Sequence, residues 1–311
     1  MNPAFSVIIL TTVAGAAQGL VVALALAVLT GVDLGPALLS NGLVVAGVML
    51  LIGLGASFGH LGRPERAWRA ASMWRTSWLS REVIVLPAFI GVVGLWWLAL
   101  GMAAPAAFVN LLLPLAALAV AALLWYCTAM IYACLRFIEE WAHPLTLINF
   151  VAIGLSSGLL LAAALASLSG AESFVRAVGA IAIAATLLAW ATRLAALRRN
   201  ATLRHRSSLQ SATGIASPQL VQKAMGFTGG SFNTREFFHR ASQPGLQRIR
   251  LALIVFGYAV PAVIAVLALA TQVSALWLLA VLVQAPGLLA DRWLFFAQAK
   301  HPQNLYYQSV S

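Results

Sequence analysis

The sequence predicts an all-α polytopic membrane bundle of eight transmembrane helices, with both termini in the cytoplasm. Three observations carry this: an extreme composition, eight long apolar runs, and a strict alternation of basic and non-basic loops. The chain is 62% hydrophobic and 9% charged, with mean hydropathy +0.92, whereas soluble domains carry about 25% charged residues. A formal charge of +11 and a pI near 11.0 would suit nucleic acid, but a nucleic-acid reader has no use for eight membrane-length apolar runs. The charge is read instead as the cytoplasmic collar of a membrane protein.

A helix needs roughly 20 apolar residues to cross the hydrocarbon core. Runs of that kind fall at about 5–30, 41–59, 83–103, 106–134, 145–168, 174–196, 249–271 and 274–295. The runs are continuous rather than alternating, which excludes a β-barrel pattern. The first lacks a basic n-region and is expected to be a retained helix rather than a cleaved signal. The whole of 1–311 is one integral membrane domain on this reading.

Loop charge sets the orientation. Segment 31–40 has Asp33 and no Lys or Arg, while 60–82 carries Arg63, Arg66, Arg69, Arg75 and Arg81. Loop 104–105 is uncharged, and 135–144 has Arg136 beside Glu139 and Glu140. Loop 169–173 has Glu172, with Arg176 just beyond, and 197–248 carries eight basic residues flanked by Arg193 and Arg250. Arg292 and Lys300 end the chain's last span. Eighteen of the 19 basic residues thus fall on one side, which places that side in the cytoplasm of a bacterial inner membrane.

Chemistry deep in the bilayer is not expected. All eight acids read as loop or helix-end residues, and the mid-membrane polar groups are Gln18, Asn149, Ser156, Ser157 and Gln284. A secondary transporter would show intramembrane charges or matching broken helices, so that class is disfavoured. Cys127 and Cys134 lie about 10 Å apart along one helix, too far for a disulfide, and read as packing residues.

The richest interface is GHLGRPERAWRAASMWRTSWLSREV, between helices two and three. Pro64 suits the first position of a short interfacial helix over 65–78, with Trp68, Trp74 and Trp78 at headgroup level. Ser80 is expected to cap the third helix and put Glu82 in its first turn. His60 and Glu82 then form an imidazole–carboxylate pair at one depth, flanked by Arg63, Arg81 and Trp78. Such a pair suits a quinone headgroup, because His moves protons near neutral pH and Glu relays them. A bland alternative stands beside it: Glu near a helix N-terminus is favoured by the dipole alone, and an interfacial His is ordinary.

Loop 135–144, RFIEEWAHPL, offers His143 and Arg136 as second-rank candidates. His143 before Pro144 reads first as a turn residue, and adjacent acids mostly face water. His205, His239 and His301 fall in polar segments and His60 and His143 at helix ends, so bis-His haem is not expected and no metal site is assigned. Segment 197–248 is too long for an idle connection. Its Phe227, Phe232, Arg235, Phe237 and Phe238, interleaved with glycine, suit a docking surface for another subunit.

Together GHLGRPERAW, SREV, WYCTAMIYACL, HPLTLINF, GGSFNTREFFH and HPQNLYYQ resemble the DmsC family, the membrane anchor subunits of complex iron–sulfur molybdoenzymes. The resemblance covers most of the chain. It implies quinone binding, ubiquinone or menaquinone, at His60 and Glu82. It also implies a ferredoxin-like iron–sulfur partner and a molybdopterin catalytic partner, which hold every metal centre, while the anchor itself oxidises no substrate. Exported members hold those partners outside the cytoplasm. The positive-inside count departs from that and points to the cytoplasm-facing branch, in which sulfite is oxidised and quinone reduced. A quinol-oxidising anchor of the dimethyl sulfoxide reductase type, and a purely structural anchor, stay as alternatives.

Overall fold

The computed structural model describes residues 1–59, 61–102, 104–224, 238–239 and 241–306. Its described residues contain helices and no strand, and eight helices are long and apolar enough to cross a membrane. They are α1 Phe5–Leu29, α2 Gly35–Phe58, α3 Trp78–Leu100, α4 Phe108–Ala133, α5 Pro144–Leu168, α6 Glu172–Ala201, α8 Gln243–Thr271 and α9 Ser274–Ala297. A short α7, Leu209–Thr213, follows α6. A 3₁₀ helix over Pro64–Ala71 links α2 to α3, shorter than the 65–78 expected.

Local chemistry explains where the helices begin. The Asp33 carboxylate accepts from the Gly35 amide at 2.8 Å, so α2 starts about six residues before the expected position. Ser77, not Ser80, caps α3, its hydroxyl accepting from the Ser80 amide at 3.3 Å. Glu82 therefore stands one turn inside α3 rather than in the first turn. Ser242 caps α8 in the same way through the Gly245 amide, and a cap satisfies a backbone donor the helix cannot. Hydrophobic continuity alone places these starts too late, because capped first turns are polar.

The bundle is organised around α1 and α5, the most buried helices. Lipid offers no hydrophobic drive between helices, so close packing must supply it. Gly15 and Gly19 of α1 face Gly154 and Gly158 of α5, and a Cβ on Gly158 would collide with the Gly19 backbone. The same device joins α8 to α9, where Gly287 lies against Gly257 within a π-helical turn, Val255–Ala259. Mid-bundle, Gln284 Nε2 donates to Ser156 Oγ at 2.9 Å, and Ser156 shares a 2.8 Å bond with Thr186. Such bonds glue helices while leaving no polar group facing lipid.

One expectation fails. Asp291, Arg193 and Arg292 are not at helix ends but inside α9 and α6, each at most 3% exposed. Asp291 lies six residues, about 9 Å, from the end of α9, and Arg193 bonds it across the bundle at 2.5 Å. Pairing makes this burial tolerable. Glu140 is also buried rather than facing water, accepting from the Lys300 amide at 3.3 Å and lying 3.5 Å from His205 Nε2. Glu139 accepts from the Arg206 amide at 2.8 Å. The paired acids therefore tie three segments of the basic face together.

Candidate quinone site at the α3–α4 seam

Trp78 and Glu82 are four residues apart and so share one face of α3, and both meet α4. The Trp78 ring sits edge-on to Tyr126 at 5.2 Å, and Glu82 Oε1 accepts from Thr128 Oγ1 at 2.5 Å one turn deeper. The Arg81 guanidinium lies 4.0 Å from the Trp78 ring centre. It also donates to the Trp74 and Arg75 carbonyls at 2.9 and 2.8 Å. Arg81 thus fixes the loop and Trp78 together. Arg63, Trp68 and Trp74 are exposed on the adjoining loop.

Behind Glu82 is a cavity of about 10 Å³ between α1, α4 and α5, the space of about one water. Trp125, Gln18, Thr11 and Phe150 line it, and the Trp125 indole N–H has no hydrogen-bond partner among the described residues. A quinone ring does not fit there. The aromatic wall of Trp78 and Tyr126, open at the bundle rim, suits a planar headgroup, and Glu82 behind it is 8% exposed.

His60 lies outside the described residues, as do Phe227, Phe232, Arg235 and Phe237. Phe238 is buried within the chain itself, so its ring is not a free docking anchor. His143 takes the turn role: it caps α5, Nδ1 accepting from the Leu145 amide at 3.1 Å. Burial and the nearby Arg199 lower its pKa from the usual imidazole value. Arg136 is exposed. Neither residue lines the Glu82 cavity.

His143 instead borders a second cavity, of about 20 Å³, toward the basic face. Glu140, Arg199, Asn149, Asp291, Arg292 and Phe150 are among its lining. The Arg292 guanidinium stands 3.8 Å from the Phe150 ring centre, and Arg292 Nε and Asn149 Oδ1 are buried without a hydrogen-bond partner among the described residues. The sequence signal for this cluster is ADRWLFFA, where apolar residues resume after an acid–base pair and the helix must continue. Thr128 has no sequence signal beyond its place in an apolar helix. No group of three or more His, Cys, Asp or Glu side chains able to hold a metal occurs among the described residues.

A bundle of eight apolar, membrane-length helices defines a multi-pass membrane protein. The family model described as DMSO reductase anchor subunit (DmsC) matches residues 1–298, and the chain belongs to that family. A sulfite dehydrogenase subunit of Allochromatium vinosum is 50% identical to it, over the whole of both chains.

Proposed function

We propose that this chain anchors a molybdopterin catalytic subunit and a ferredoxin-like iron–sulfur subunit, and passes their electrons to a quinone at the α3–α4 seam. Sulfite oxidation is the reaction favoured for the partners, since the full-length relative is named for it. The loop charge supports partners on the cytoplasmic side of the inner membrane. The carrying observation is Glu82, a carboxylate held by Thr128 in an otherwise apolar seam behind Trp78. A buried carboxylate is costly in a membrane and marks function by default.

The quinone, when bound, supplies a two-electron acceptor that takes up two protons. Trp78 and Tyr126 would flank its ring, Arg81 would hold Trp78 in place, and Glu82 would deliver a proton to a carbonyl oxygen. His60 is the partner proposed for the other oxygen. Electrons come from the iron–sulfur partner. In the isolated complex, Glu82→Gln should lower sulfite-to-quinone turnover about 100-fold while sulfite-to-dye turnover, which bypasses the membrane subunit, persists. Wild-type quinone turnover in that variant overturns the site.

A further inference from the structure

Arg292 is a buried cation inside α9. Its Nε has no hydrogen-bond partner among the described residues, and no carboxylate there forms an ion pair with it. The neighbouring Asp291 is committed elsewhere, to Arg193 on α6. What lies against the guanidinium is the Phe150 face, 3.8 Å away, and an aromatic face attracts a cation without supplying a charge. Buried charges are ordinarily paired, and one left alone within a bilayer marks a site by default. We propose that the cavity beside Arg292 binds one small monovalent anion of halide size, such as chloride.

Three properties of that cavity fit such an ion. Its volume of about 20 Å³ holds a body of about one water molecule, which a halide matches and a sulfite or lipid headgroup exceeds. Its charged lining is three guanidiniums, of Arg193, Arg199 and Arg292, against two carboxylates, of Glu140 and Asp291. One positive charge is left over, and one bound anion balances it. The third property is its supply of donors. Asn149 lines the cavity with Oδ1 buried and unpartnered among the described residues, and a half-turn of the amide presents its NH2 instead. His143 Nδ1 accepts from the Leu145 amide, which leaves the proton of the neutral ring on Nε2 as a further donor. Water in the same space would bond these atoms but leave the charge unbalanced.

The site joins three helices: α5 through Asn149, α6 through Arg193 and Arg199, and α9 through Arg292. A bound anion is therefore a staple across the bundle near its basic face. A ligand that binds the folded state alone stabilises it by mass action, so stability should rise with chloride at constant ionic strength. The anion takes no part in the proposed quinone reaction, and the inference does not rest on that reading.

The test measures uptake of radiolabelled chloride by the purified complex in detergent, with sodium gluconate holding the ionic strength constant. About one saturable chloride per copy of this chain is expected. Arg292→Met removes the cation, and Asn149→Asp supplies the missing negative charge inside the cavity at nearly unchanged volume. Each should weaken chloride binding at least about tenfold, and each should abolish the rise in melting temperature that chloride gives the wild type. Arg176→Met, which alters an exposed guanidinium, should change neither. If Arg292→Met does not assemble, Asn149→Asp decides alone. In crystals grown with bromide, anomalous scattering should place the ion against Arg292. A wild-type complex with no saturable chloride uptake leaves the cavity to water and overturns the proposal. Uptake that both variants retain puts the ion elsewhere and overturns it too.

Discussion

Arg193 Nε donates to Asp291 Oδ1 across the α6–α9 interface, with both side chains at most 4% exposed. A second nitrogen, Nη2, reaches the Asp291 carbonyl at 3.3 Å. The pair is therefore a latch on helix geometry as well as a charge balance. It also seats Arg292, the next residue, over Phe150.

Removing one partner should be far worse than removing both. Asp291→Ala leaves a buried guanidinium without its carboxylate, at a cost of about 3–5 kcal/mol. Arg193→Met with Asp291→Leu removes both charges, and should recover most of that loss. Thermal unfolding in detergent checks the order. A double variant as unstable as Asp291→Ala would mean that shape, not charge, holds the interface.

The α1–α5 seam gives a prediction of the opposite kind, since nothing polar is involved. Gly158→Leu pushes a side chain into the Gly19 backbone. Overpacking of this kind costs about 1–3 kcal/mol or more, so the yield of folded protein and its melting temperature should both fall. Gly47, with open space at its Cβ, should accept Ala with little change.

The eight spans were legible because apolar runs of membrane length are a strong signal; Glu82 was singled out as an interfacial carboxylate just ahead of the third run, and the structure places it one turn inside α3. Thr128 was not, because a threonine on an apolar helix has many uses and its partner is 46 residues away. Asp291 and Arg193 were misplaced for a related reason. Each sits where a helix nears its polar end, and only their mutual bond shows that both lie inside. The helix starts at Gly35, Trp78 and Gln243 were missed where polar capping turns precede the apolar run.

His143 gives the pH prediction. Its neutral Nδ1 accepts from the Leu145 amide, and its pKa in the folded protein lies below the ordinary 6.5. As pH falls through about 6.5 the unfolded chain takes up a proton that the folded chain resists, so stability declines on acidification. Unfolding measured at descending pH should show a weaker slope for His143→Asn, which retains a capping oxygen but does not titrate. An identical slope would assign the acid sensitivity to other groups.

Orientation is testable without the partners. Reporter fusions at Ser40, Ala104 and Ser169 should report periplasm, and fusions at Ala71 and Ser217 cytoplasm. The reverse pattern would place the α3–α4 seam on the outer side and favour an exported, quinol-oxidising complex.

Thr128 is the residue through which the position of Glu82 can be tested apart from its chemistry. Its hydroxyl is bonded to Oε1, and hydrogen bonds to charged groups contribute about 1.5–3 kcal/mol. Thr128→Val keeps the volume and leaves that oxygen without its donor, so the carboxylate is free to swing into the small cavity behind it. Quinone turnover should then fall about tenfold, chiefly in kcat, because the Trp78–Tyr126 wall that would flank the ring is untouched. Thr128→Ser restores the donor and should restore kcat, although it loses the same methyl contacts that a purely packing role would need. Serine and valine variants with equal turnover would reduce Thr128 to a packing residue and leave Glu82 positioned by helix geometry alone.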